Sequence, residues 1–344
     1  MPAKFFLKQT IMRRVLIALL PCIAGSIYYF GWRCLFLIAW AGAVGLFVEY
    51  IFTRSRGEPV TEAVFVTTTL FALIMPPTVP LHVLTIGAVF AVMFTKEIFG
   101  GFGRNIFNPA LAGRCFIYVC FPVALTGTWS RPAAEPWGAL GKWSTAAEAD
   151  AITSATPMAN LKAGKLVLNN GEQVTQEVPF DIAEGATVNV KKNALLKGLL
   201  FGRISGTMGV TSAILICIGG IYLYVTKTAS RTIILSVIIT YAVLNQLLYW
   251  FGVEPVPGAW PAVLGGGFLF GAFYMATDPV SSPRTEPARI MYGVIIAVCT
   301  MVIRNFSIFN GGLMFSILIG NMFAPILDYT VRSYKSGRAR KKDK

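Results

Sequence analysis

The sequence has 344 residues, 55% of them hydrophobic and only 13% charged, with a formal net charge of +14. Its mean hydropathy is +0.63, whereas soluble domains carry roughly a quarter charged residues, so a soluble fold is excluded. Nucleic-acid binding is not expected either, because the Lys and Arg excess lies at the chain ends and in short turns between apolar runs.

A bilayer span takes about 20 mostly apolar residues. Lys4, Lys8, Arg13 and Arg14 precede a first run, Val15–Phe30, which leads directly into Leu35–Phe52, so no cleaved signal peptide is expected. Glu49 stands at the inner end of that second run, followed by Arg54 and Arg56. A shorter run, Val64–Met75, ends in Pro-Pro; Leu81–Phe94 and Asn108–Leu125 complete the first half. His82 opens Leu81–Phe94 as an interfacial residue, and the six cysteines all sit in or beside apolar runs without a CxxC pair, so no metal site is expected.

A long polar loop covers residues 126–206; within it, 165–192 alternates around Asn-Gly and Glu-Gly turns and predicts a small β-hairpin. Val210–Thr226, Thr232–Phe251, a short Ala262–Ala276 ending before Asp278-Pro279, Ile290–Ile303 and Leu313–Leu327 follow. The expected architecture is all-α, with ten spans. Residues 1–125 form the first five-helix unit, 126–206 the loop, 207–331 the second unit and 332–344 a basic tail. An even number of spans puts both termini on one side, and the positive-inside rule makes that side cytoplasmic and the loop extracytoplasmic.

The two halves share a plan. An offset of 202 places Phe71 on Phe273, Pro77 on Pro279, Asn108 on Asn310 and Leu111 on Leu313. Five spans is an odd number, so the second copy of a repeat lies inverted, and proline-broken segments at matching positions point to a binding site.

Three groups of residues carry chemistry. In the loop, Asp150-Ala-Ile-Thr153-Ser154-Ala155-Thr156-Pro157 reads either as a turn or helix cap or as an acceptor motif of the form Asp-x-x-Thr-x-Ala-Thr. Before Pro109, the block from Lys96 through Gly100, Gly101 and Gly103 to Arg104, Asn105, Asn108 and Arg114 reads as a tight turn capped by Asn, or as a place where backbone, Arg104 and two amides approach an anion or a polar ring edge. Finally, Asp278 where an apolar run ends, Asp328 beside the last span and Glu49 are functional candidates or interfacial caps, since carboxylates at membrane depth are costly.

Taken together, these blocks resemble one family. It is the membrane flavoprotein component shared by two respiratory complexes: the B subunit of the sodium-translocating NADH:quinone oxidoreductase (Nqr) and the D subunit of the Rnf ferredoxin:NAD oxidoreductase. The resemblance rests on Phe71–Thr78, Lys96–Arg114, the Thr156 motif, Met275–Val280 and Asn321–Asp328. It implies a bacterial inner-membrane protein of a six-subunit complex, with ten spans in two inverted repeats. It implies FMN joined through its phosphate to Thr156 by a flavin transferase, with Asp150, Thr153, Ser154 and Ala155 completing the motif. It further implies non-covalent riboflavin near Asn105 and Asn108, a quinone near Gly45, and cation movement tied to Glu49, Asp278 and Asp328. Val210 stands where the family commonly has Glu, and the later start is Rnf-like, while the Lys96-Glu97 and Arg104-Asn105 blocks read as Nqr-like. The rival classes are a cofactor-free channel or secondary transporter and a structural component without flavin.

Overall fold

The computed structural model describes residues 6–127, 129–130, 132–133, 135–145, 165–167, 177–179, 196–307 and 311–342. Helix α1 (Thr10–Phe30) ends at Gly31, whose φ of 94° suits glycine. A side chain there would meet Lys142 O at 2.7 Å, because the start of the polar loop lies across this turn. Arg33 N donates to Trp143 O at 2.8 Å, and Ala139 N donates to Tyr28 O at 2.7 Å. Helix α2 (Arg33–Arg56) returns to the opposite end, where β1 (Phe6–Leu7) runs parallel to β2 (Val60–Thr61).

Helix α3 (Ala63–Leu73) is buried on almost every side, Thr67, Thr68 and Thr69 included, as its apolar sequence without charged residues permits. It stops before Met75-Pro-Pro, leaving carbonyls without helical partners. Backbone from the second half satisfies them: Gly209 N donates to Leu73 O at 2.7 Å and Met208 N to Met75 O at 3.0 Å. Interrupted backbone inside a membrane bundle needs such internal partners. Helix α4 (Leu81–Val92) continues as a π turn, Met93–Glu97. Helices α5 (Pro109–Cys120) and α6 (Pro122–Thr126) close the first half.

After the loop come α7 (Ala213–Val225), α8 (Arg231–Trp250), α9 (Ala259–Leu264) and α10 (Phe268–Phe270), which continues as the π turn Gly271–Met275. Helices α11 (Glu286–Phe306) and α12 (Gly312–Lys342) end the chain. Among the described residues, five helices are long and apolar enough to cross a membrane: α1, α2, α8, α11 and the Gly312–Arg338 part of α12. Three more there, α3, α5 and α7, are apolar but shorter. The chain is an integral membrane protein whose main core packs Phe71, Leu73 and Met75 with Phe268, Phe270 and Met275, with a smaller cluster of Val48, Val60, Val64 and Val92. Helices α1 and α7 join the halves closely, since a methyl on Gly219 would lie 1.9 Å from Ala18 O.

Three predicted runs differ in detail. Asn108–Leu125 is not one helix: it breaks at Phe121 (φ −130°, ψ 58°), because Pro122 cannot continue α5 and instead starts α6. Ala262–Ala276 breaks at Gly265-Gly266-Gly267, where Gly266 and Gly267 have φ of 56° and 72°. The last helix runs on to Lys342 through the basic tail, well past the apolar run. In the loop, β3 (Lys165–Val167) pairs antiparallel with β4 (Glu177–Pro179), Leu166 opposite Val178, as a hairpin requires; its turn lies outside the described residues.

Candidate functional site

Two hollows flank the π turn Gly271–Met275. The first is a cleft on the side of Thr228, and its walls include Lys96, Phe102, Asn105, Asn108, Tyr274 and Asp278. The turn before α5 is built on glycine: Gly100, Gly101 and Gly103 have φ of 100°, 91° and 88°. That left-handed backbone folds the chain back so that Phe102 and Asn105 face the cleft. Asn105 is buried and donates through Nδ2 to Phe107 O at 3.0 Å. Asn108 caps α5, its Oδ1 accepting from Leu111 N, while its Nδ2 donates across the halves to Met275 O, both at 3.3 Å. Arg104 is exposed and folds back over Gly100, so it does not join the cleft.

The π turn Met93–Glu97 turns Lys96 inward, and π turns are frequent at functional sites. Lys96 and Glu49 are 2% and 0% exposed and form an ion pair. Thr61 completes the pair: its N–H donates to Glu49 Oε1 at 2.9 Å, and its hydroxyl accepts from Lys96 Nζ at 2.9 Å. Glu97, next along the chain, pairs with Arg56. Asp278 borders the cleft opposite and accepts from Val280 N at 3.2 Å and Ser281 Oγ at 2.9 Å. Among the described residues it has no cationic partner.

The other acid and the expected quinone position sit differently. Asp328 accepts from Arg284 N, Thr285 N and Thr285 Oγ1 at 2.8, 2.9 and 2.7 Å, which caps the start of α11 from a neighbouring helix. Gly45 is a packing position, because a methyl there would lie 2.3 Å from Thr68 Cγ2. Asp150, Thr153, Ser154, Ala155 and Thr156 lie outside the described residues.

The second hollow is a cavity at the base of the loop. Thr126 and Trp129 from the outgoing stem and Leu199 and Ser205 from the returning stem border it, with Arg114 and Tyr118 of α5. The broken stretch Gly265–Gly267 is held from behind by Arg304, which is 1% exposed. Its guanidinium donates to Gly265 O at 3.2 Å, to Gly266 O and to Ala262 O at 3.3 Å, and lies 5.9 Å from the ring centres of Tyr241 and Phe268. Sequence reasoning passed over Arg304 and Arg114 as candidates. The available signal was a charged residue inside an apolar run.

A family profile described as the NQR2, RnfD, RnfE family matches residues 7–337. The chain belongs to that family. Its relatives include proteins named as the B subunit of Na(+)-translocating NADH-quinone reductase. That of Chromohalobacter salexigens is 36% identical over 307 residues, covering 88% of this chain and 66% of the relative. That of Pseudoalteromonas atlantica is 35% identical over 306 residues, covering 87% and 67%. That of Haemophilus influenzae is 35% identical over 302 residues, covering 85% and 65%. The chain thus spans about two thirds of the length of these curated relatives. For this family member, the cleft and the cavity are two hollows in the described bundle whose linings combine apolar walls with a few polar side chains, as small-molecule sites do.

Proposed function

We propose that this chain is the membrane flavin subunit of an ion-translocating NADH:quinone oxidoreductase, carrying covalent FMN on Thr156 and non-covalent riboflavin in the cleft. The observation that carries the reading is the placement of two hollows on opposite sides of one π turn, one of them at the base of the loop that bears the Thr156 motif. Thr156 lies eleven residues past Thr145, and at about 3.6 Å per residue at most that length of chain is sufficient to bring a group on its hydroxyl to the loop base. The lining there suits a flavin: Arg114 Nε is buried with no hydrogen-bond partner, and the aromatic Tyr118 and Trp129 line the same cavity. Riboflavin suits the cleft, where the Asn105 and Asn108 amides and the Phe102 ring meet a polar aromatic ring without demanding a charge.

Bound flavins supply the electron chemistry, and the protein supplies position and electrostatics. Asn108 ties α5 to the π turn and so sets the spacing of the two hollows. Lys96 neutralises Glu49 on the cleft wall, and Asp328 is occupied in capping α11. Asp278 is therefore the carboxylate best placed to meet a cation entering the cleft. In this reading the two halves are inverted five-span repeats, both termini are cytoplasmic, and quinone receives the electrons away from the closely packed Gly45. The partners are a flavin transferase and the other subunits of a six-subunit complex. The names of the relatives support Nqr over Rnf.

The test is denaturing electrophoresis after co-expression with a flavin transferase. A fluorescent band is expected from the native chain and is lost in Thr156→Ala. A native chain without a band, or a band that survives the substitution, sinks the flavin reading and leaves a channel or transporter.

A further inference from the structure

Helix α5 presents Leu111, Arg114 and Tyr118 to the cavity at the base of the loop. Their spacing of three and four puts them on one face. Gly113 faces the other way, toward α4, where a methyl would lie 2.7 Å from Ala91 Cβ. Arg114 is thus committed to the cavity by the packing of its neighbour. It is the one charged side chain among the described lining residues, and no described carboxylate pairs with it. Its Nε is buried without a hydrogen-bond partner. A cation inside a membrane bundle is costly unless paired. Arg304 shows how the same bundle treats a structural arginine, giving its guanidinium three carbonyls and two rings. The Nε of Arg304 is likewise without a partner, so the contrast lies in the terminal nitrogens, for which Arg114 has no such carbonyl or ring contact among the described residues.

We infer that Arg114 is the cation that meets the pyrimidine edge of the flavin ring carried by Thr156 and sets its reduction potential. The inference rests on the covalent FMN proposed above. At neutral pH a flavin that takes up two electrons and one proton carries one extra negative charge on that edge. A guanidinium facing it stabilises the reduced ring relative to the oxidised one and raises the potential. Val210 lines the same cavity and supplies no opposing charge.

The test uses the full chain co-expressed with a flavin transferase, washed free of non-covalent flavin, and titrated with dithionite while the flavin absorbance is followed. Arg114→Gln is expected to keep the fluorescent band and to weaken the preference for the reduced ring tenfold or more, which is about 30 mV for a two-electron couple. Arg114→Lys keeps most of the native potential because it keeps the charge. Val210→Glu, which leaves Arg114 in place and adds a carboxylate to the cavity, lowers the potential. It also keeps the idea testable where Arg114→Gln does not fold. A band with an unchanged potential in Arg114→Gln, as expected if a lipid headgroup or only water meets the guanidinium, overturns this inference alone. So does an unchanged potential in Val210→Glu. A native chain with no band overturns the covalent flavin and this inference together.

Discussion

Lys96 and Glu49 form a pair taken wholly out of solvent. Desolvating two charges costs several kcal/mol per ion, and the pair regains this only while both partners are present. Lys96→Ala is expected to destabilise the protein by about 3–5 kcal/mol, while Glu49→Leu with Lys96→Met stays near the native value. Thermal unfolding in detergent measures both. A less buried pair behaves differently. Arg13 donates to both Glu62 oxygens and Gln9 N donates to one of them at 2.7 Å, and these bonds hold the Glu62 carboxyl below its ordinary value of 4.5. A carboxyl held low in the folded chain contributes stability that is complete above its unfolded pKa and is lost as pH falls through its folded one. Glu62→Gln therefore lowers the melting temperature slightly at neutral pH, where the exposed pair's contribution is fully present, and flattens the further loss between about pH 5 and pH 3.

At the level of elements, the interrupted helices decide the architecture. Helices α3 and α9 both end inside the bundle, and each broken stretch is satisfied by groups from elsewhere: residues 208 and 209 for the first, Arg304 for the end of α9 at Gly265. Replacing Arg304 by Met removes that donor from the carbonyls of Ala262, Gly265 and Gly266, of which Gly265 O keeps Phe268 N and Gly266 is open to solvent. An unsatisfied buried acceptor costs about 1–3 kcal/mol, so Arg304→Met is expected to lower stability by about that amount. A larger effect than Lys335→Met in the same melts is the check, since Lys335 is exposed on the far end of α12.

Across the whole molecule, charge and length set orientation. Helix α12 has 31 residues, about 46 Å at 1.5 Å per residue, against a hydrocarbon core of about 30 Å. Its basic last turns therefore project beyond the membrane on the same side as the Arg13, Arg54 and Arg56 end. Trp137 is exposed at the opposite end, next to the turn capped by Tyr28 and Ala139. In intact cells, Trp137→Cys is expected to react with a membrane-impermeant maleimide above the level set by the native cysteines. Ser336→Cys reacts only after lysis, and the reverse pattern would invert the topology.

Much was legible in the order of residues alone. The apolar runs located the helices, the Pro-Pro signal marked where chain direction changes, and Asn108-Pro109 marked the start of α5, because each depends on local backbone chemistry; the break at Gly265–Gly267 went unread within the run Ala262–Ala276. The family followed from the same blocks. What a linear reading could not decide is which polar groups meet. Asn105, Asn108, Lys96 and Asp278 share one cleft, while Arg104 turns outward, Asp328 serves as a cap and Gly45 is a packing contact. Those outcomes depend on side-chain direction across helices far apart in the chain. Arg114 and Arg304 make the point most clearly. Both are arginines in apolar helices, and only tertiary packing brought the guanidinium of one onto backbone carbonyls and turned the other toward an open cavity.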